Sequence, residues 1–168
     1  MNIHLGGSRS AIFLIAALLA VSTASAQLPD PIAAPGETVV ATLHAEGAQV
    51  YECKTDAAGR LAWQFREPIA TLLLEGKTVG RHYAGPSWEH GDGCAVVGKV
   101  VARVPGATPK DIPWLKLEIT EHRGSGVLSS VTTVQRIHTQ GGAAEGPCDR
   151  VGAYLSVAYT AEYVLLRK

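Results

Sequence analysis

The chain has 168 residues, and its 15 lysine and arginine residues balance its 15 aspartate and glutamate residues, so that its formal net charge is zero. Nucleic-acid binding needs a basic surface that neutralises phosphates, and electrostatic attachment to a membrane surface needs a polybasic patch. The charge balance argues against both, and we expect no nucleic-acid partner.

The first 26 residues have the features of a secretory signal peptide. Arg9 gives a positive start, residues 11–21 form an apolar run, and residues 24–26 (ASA) form a small-residue cleavage site. The apolar run is too short to cross a bilayer, and no later run approaches the length of a transmembrane helix. We therefore predict cleavage after Ala26 and export to the periplasm or the extracellular space. The mature chain would have 142 residues and, with one arginine and no acidic residue removed, a formal charge of −1.

The rest of the chain divides into residues 27–37 (QLPDPIAAPGE), which predict a proline-rich, weakly ordered leader, and residues 38–168, which predict one β domain. Short runs of β-branched and aromatic residues alternate there with glycine, proline or aspartate. We expect an all-β fold, a single-domain antiparallel sandwich or barrel of about eight strands. Residues 68–74 have an alternative interpretation as a short helical turn. The predicted strands are residues 38–44, 49–54, 61–66, 78–83, 95–104, 115–122, 127–138 and 155–166.

Side-chain alternation predicts which strand faces are buried, because successive side chains point to opposite sides of a sheet. Leu61, Trp63 and Phe65 share one face, which we expect to be core. In the last predicted strand, the face that contains Tyr159 and Tyr163 is expected to point inward or toward a ligand.

The strand that contains Arg136 could turn either of its two faces toward the core. If Val134 faces inward, Arg136 faces inward too and needs a carboxylate partner, such as Asp92 or Glu89. If Gln135 faces inward, Arg136 is solvated, and this is the arrangement that we expect.

Three cysteines, Cys53, Cys94 and Cys148, allow one disulfide and one free thiol in three possible pairings. Their spacing does not resemble a zinc site. We favour the pair Cys53 and Cys148, because Cys148 lies in a stretch rich in glycine and proline that would gain most from a tether, but the residues alone leave the pairing open.

Several ordered motifs resemble family 3455 of the domains of unknown function, over a match from about Thr38 to about Leu166. The resemblance implies an exported protein from a family that occurs in bacteria and fungi and has no established activity. It also favours a bridge between Cys53 and Cys148, which are both cysteine in similar members. Cys94 departs from the pattern, which has serine after Asp-Gly. The motifs are AQVYEC (48–53), WQF (63–65), HYAGPSWE (82–89), DG (92–93), IPWL (112–115), QRI (135–137), TQGG (139–142), Cys148 and YTAEY (159–163).

The segment of residues 82–92 (HYAGPSWEHGD) carries the most chemistry. His82, His90 and Asp92 are weak candidates for metal ligands, with Glu89 as a base beside a bound water, which would make the protein a metal-dependent or hydrolytic enzyme. The spacing of the histidines is not that of a known metal site, so we expect no metal and no other cofactor. The structural alternative is a surface loop that packs Trp88 onto the sheet.

The hypothesis that we favour is a non-catalytic binding module, because aromatic rings stack on sugars and line apolar pockets. Tyr83 and Trp88 would bind a small molecule or glycan, with His82, Glu89, His90 and Asp92 as further candidates. Trp88 is the tryptophan that we expect to be exposed. The alternatives are an envelope protein with a structural or interaction role and the enzyme described above.

Overall fold

Eight antiparallel strands follow one another around a ring, and the last pairs with the first, so that the sheet closes into an up-and-down barrel. The computed structural model describes residues 27–168, and the predicted signal peptide lies outside them. The predicted antiparallel all-β fold is confirmed, in its barrel form. The strands are β1 (Thr38–Thr55), β2 (Leu61–Leu74), β3 (Lys77–Tyr83), β4 (Ser87–His90), β5 (Ala95–Val104), β6 (Trp114–Arg123), β7 (Thr133–Gly141) and β8 (Tyr154–Arg167).

Four strand assignments differ from the predicted ones. Residues 127–132, predicted as the start of a strand, form a connection, so that β7 begins at Thr133. β1 is unbroken where the sequence indicates two strands, because Gly47 and its neighbours pair with β2 on one side and β8 on the other. Residues 68–74 continue β2 and form no helical turn. β4 is absent from the predicted strands, since a strand of four residues is too short to show alternation.

Three aromatic rings cross the barrel interior. β4 and β8 lie on opposite sides of the ring of strands, yet Trp88 of β4 and Tyr163 of β8 touch, with ring centroids 5.3 Å apart. His82 of β3 stacks on Trp88 at 4.7 Å and contacts Tyr163 at 4.8 Å. A side chain on Gly98 of β5 would put its Cβ 3.1 Å from the indole, so this glycine makes room for Trp88. We call His82, Trp88 and Tyr163 the ring stack.

The two ends of the barrel differ in how they are covered. At one end, the connection of residues 124–132 folds over the interior and buries Leu128 and Val131 completely in the core. We call this the closed end. The other end carries the connections of residues 56–60, 84–86, 105–113 and 142–153, and we call it the open end.

The proline-rich leader packs against the outside of the barrel. Ile32 is fully buried, and its carbonyl oxygen accepts a hydrogen bond from the Gln135 amide at 2.6 Å. The Lys116 ammonium donates to the Ala33 carbonyl at 2.9 Å. The expectation of a weakly ordered leader is therefore wrong for this part of it, because the short helical turn that contains Ile32 packs against β5 and β6.

A disulfide joins Cys53 at the end of β1 to Cys148 in the connection of residues 142–153, with Cα atoms 5.9 Å apart. The favoured pairing is confirmed, and Cys94 is the free, buried thiol. Backbone hydrogen bonds flank the bridge, since the Cys53 N–H donates to Ala153 and the Gly152 N–H donates to Cys53. The disulfide thus anchors the longest connection of the open end to the barrel wall.

Replacing both bridged cysteines by alanine (C53A/C148A) is expected to lower the free energy of unfolding by about 4.7 kcal/mol, because the unfolded chain regains the entropy of a loop closed over 95 residues. Guanidinium denaturation measures this loss. Cys94→Ser, which leaves the bridge intact, is the control. A double variant as stable as this control would contradict the prediction.

Candidate functional site

A cavity of about 500 Å³ opens inside the barrel on the open-end side of the ring stack. Its size lies in the range of small-molecule sites. Its walls are mainly apolar, three arginines are the charged members, and no carboxylate occurs among its described lining residues. The lining residues are Gln49, Tyr51, Phe65, Arg66, Pro68, His82, Ala84, Gly85, Pro86, Trp88, Val100, Arg103, Ile112, Pro113, Leu115, Leu117, Arg136 and Tyr163.

The ring stack forms the floor of this cavity, and His82 in it is neutral. Burial and, to a smaller extent, the positive charge of Arg136 lower the pKa of His82 to about 3. His82 Nδ1 lies 2.9 Å from the Ser87 carbonyl oxygen. Because a carbonyl can only accept, Nδ1 carries the proton and Nε2 is the unprotonated nitrogen. At neutral pH His82 is therefore uncharged, and it packs against the rings of Trp88 and Tyr163.

Arg136 of β7 points into the cavity, and the prediction that it is solvated is wrong. Its Nε and Nη2 atoms donate to the Pro113 carbonyl oxygen at 3.1 and 2.8 Å. Within residues 27–168 its guanidinium makes no ion pair, so neither Asp92 nor Glu89 is the partner that an inward arginine needs. A guanidinium has five N–H donors, and the Pro113 oxygen and the nearby Tyr163 hydroxyl leave some of them unused.

Arg136 acts on the buried phenols around it. Burial raises the pKa of Tyr159 and of Tyr163, and the charge of Arg136 opposes the rise at both. Burial also raises the pKa of Tyr51, again against Arg136, and the Tyr51 hydroxyl donates to the Gly142 carbonyl at 2.7 Å. Arg136 is thus the charge that dominates the electrostatics of the cavity.

Two further donors in the cavity wall lack acceptors. Gln49 is 2% exposed and Trp88 is 1% exposed. The Gln49 amide nitrogen and the Trp88 indole nitrogen have no hydrogen-bond partner among the described residues. The Gln49 amide approaches the Tyr159 hydroxyl without reaching hydrogen-bonding geometry. Buried donors without partners are unusual in a folded protein and call for an acceptor.

The six predicted site residues are divided between the two faces of the sheet. His82 and Trp88 are paired across β3 and β4 and point inward, so the expectation that Trp88 is exposed is wrong. Their neighbours Tyr83 and Glu89 point outward. On the outer face Glu89 accepts from Arg81 at 2.9 and 3.0 Å and from the Tyr83 hydroxyl at 2.9 Å. These bonds, that to Arg81 first, hold the pKa of Glu89 below its usual range.

His90 and Asp92 lie at the closed end with Cys94, and the three potential ligand atoms are within 4.8 Å of one another. The partners of Asp92 indicate a structural role. Its carboxylate accepts from the backbone N–H of Cys94 at 3.0 Å and of Val127 at 2.9 Å, and the Cys94 thiol first and then these two bonds lower its pKa. The Cys94 sulfur accepts from the Leu128 N–H at 3.3 Å. The cluster thus holds the connection that covers the closed end, and His82, in the ring stack, is not part of it.

Sequence reasoning missed Gln49 and assigned Arg136 to solvent. The face of Leu61, Trp63 and Phe65, expected in the core, is not buried, because β2 begins beyond the packed part of the barrel. Leu61 and Trp63 are half-buried, and Phe65 is 55% exposed at the rim of the cavity. The inward orientation of Arg136 was the other of the two interpretations of the sequence, the one in which Arg136 shares the inward face with Val134. Gln49 carries no comparable signal, since a lone glutamine in a strand is ordinary.

The fold and the cavity together define a class, an up-and-down barrel with an interior cavity. A family model described as a protein of unknown function (DUF3455) matches residues 33–167. The chain belongs to this family, as the resemblance in its motifs predicts. No curated protein matches the chain. No solved structure matches it either.

The stability of the barrel is expected to fall on acidification because of His82. An unfolded histidine has a pKa near 6.5, so below that pH the unfolded chain binds a proton that the folded chain rejects down to a pKa of about 3. From about pH 7.5 to about pH 5 this removes roughly 2 kcal/mol of unfolding free energy. Urea denaturation at the two pH values measures it. His82→Gln should remove this part of the pH dependence, and His44→Gln, at an exposed position of β1, should retain it. An equal slope in wild type and His82→Gln would refute the assignment.

Proposed function

We propose that this protein is an exported, non-catalytic binding protein that holds a small molecule in the barrel cavity. The observation that carries the proposal is the cavity itself, with apolar walls and a few buried donors that lack acceptors. Small-molecule sites combine these features, since apolar area supplies affinity and a few polar groups fix orientation. The closed end and the disulfide support it, because they hold the cavity walls in place without a ligand.

The alternatives receive less support from the geometry. An enzyme built on residues 82–92 would need His82, Glu89, His90 and Asp92 to converge. His82 lies inside the barrel, Glu89 lies on the outer face, and Asp92 is engaged by backbone N–H groups. A glycan stacked on an exposed Trp88 would need the indole at the surface. A purely structural role leaves the cavity and its unpartnered donors unexplained.

Export is part of the proposal. A disulfide is compatible with an oxidising compartment outside the cytoplasm. The described residues contain no helix whose length and hydrophobicity would let it span a membrane. The predicted signal peptide would deliver the protein to the periplasm or to the medium, and intact mass measurement of the protein from its own host would test cleavage after Ala26.

Binding of an uncharged apolar fluorophore, N-phenyl-1-naphthylamine, tests the cavity. Wild-type protein is expected to bind it with increased emission, because its fluorescence rises in an apolar site. Val100→Trp should weaken binding by about tenfold or more, which corresponds to the loss of about 1.4 kcal/mol of contacts when the indole fills the space. Fluorescence titration measures both.

The matched control is Val101→Trp, because Val101 is the next residue of β5 and is 46% exposed. This variant should bind as wild type does, and thermal denaturation should show both variants folded. A wild-type protein that does not bind the fluorophore, or equal binding by the two tryptophan variants, would refute the cavity as the binding site.

A further inference from the structure

We propose that the cavity selects a monocarboxylate with an apolar body, and that Arg136 binds the carboxylate group. This inference rests on the proposed function and specifies the ligand class of the same cavity. The first supporting observation is the charge of the residues that line the cavity. All the charged lining residues are arginines, in a chain that has equal numbers of acidic and basic residues overall.

The position of Arg136 distinguishes it from the other two arginines. Arg66 lies at the rim, where it has Glu67 at 3.4 Å and the Tyr154 ring at 5.1 Å as partners. Arg103 is exposed at the end of β5. Arg136 alone is part-buried among the aromatic side chains, and its neighbours are uncharged, the Pro113 carbonyl oxygen and the Tyr163 hydroxyl. A part-buried cation without an anionic partner is unfavourable, and an anionic ligand would reduce that penalty.

The remaining donors fit the same kind of group. The Gln49 amide and the Trp88 indole donate hydrogen bonds and have no acceptor among the described residues. Gln49 lies beside the Tyr159 hydroxyl and Arg136 beside the Tyr163 hydroxyl, and these two hydroxyl oxygens are 3.3 Å apart, so the donors converge on one region. An anionic oxygen group satisfies such donors, whereas an alkylammonium ligand would be repelled by Arg136.

The geometry and the walls favour a carboxylate over a more highly charged anion. The planar fork of a guanidinium matches the two oxygens of a carboxylate. A single part-buried cation balances one negative charge, and a phosphate monoester would bring a second charge against apolar walls. Leu115, Leu117 and Val100 offer the apolar body a surface of aliphatic carbon.

Displacement of N-phenyl-1-naphthylamine by decanoate and by decanamide, which have the same chain and differ in charge, tests the inference. We expect wild-type protein to prefer decanoate. Arg136→Met should reduce the ratio of the decanoate affinity to the decanamide affinity by about 10- to 100-fold, the range of a charge-assisted hydrogen bond. Arg81→Met, which removes an equal charge from the outer face, should leave the ratio unchanged.

The outcomes separate the two proposals. Equal or weaker binding of decanoate than of decanamide by wild-type protein overturns the carboxylate inference and leaves the binding function standing, and this comparison needs no variant to fold. A preference that survives in folded Arg136→Met overturns the role of Arg136. If neither compound nor the fluorophore binds wild-type protein, the proposed function itself fails.

Discussion

The contact between Trp88 and Tyr163 across the barrel, with His82 between them, is the constraint on which the rest of the structure depends. The interior of an eight-stranded barrel is just wide enough to be filled by side chains or to hold one small ligand. The ring stack divides this interior into two parts. Toward the closed end the space is filled by Leu128, Val131 and their neighbours, and toward the open end it remains as the cavity.

Where only one face of a strand is buried, the alternation of side chains in the sequence predicts which residues point inward. On the open-end side of β8, alternation places Tyr159 and Tyr163 inside, as the structure does. The same reasoning fails on β7, where Val134 and Gln135 are both buried. Gln135 is covered from outside by Ile32 of the leader, a contact between residues about a hundred positions apart. Local periodicity cannot contain such a contact, so it left both orientations of Arg136 open.

Residues 82–92 show how composition can identify a segment without revealing its geometry. Two of the predicted ligand-binding residues, His82 and Trp88, do line the cavity. The sequence suggested a loop in which all the polar groups could meet, but β3 and β4 form a hairpin there and send alternate side chains to opposite faces. Had the short β4 been recognisable, the separation of Glu89 from His82 would have followed from the pleat alone.

Asp92 and Arg136 illustrate which charged groups a folded chain uses for itself. The Asp92 carboxylate accepts from two backbone N–H groups, which hold the connection over the closed end, and the Cys94 thiol together with these bonds lowers its pKa. The Arg136 guanidinium donates to the Pro113 carbonyl oxygen, and Arg136 otherwise lines the cavity. A buried polar group that forms all its hydrogen bonds with the protein stabilises the fold. A group whose donors face a cavity is free to bind a ligand there. On this criterion Asp92 supports the barrel, and Arg136, the part-buried one of the three arginines that line the cavity, gives the cavity its chemical character.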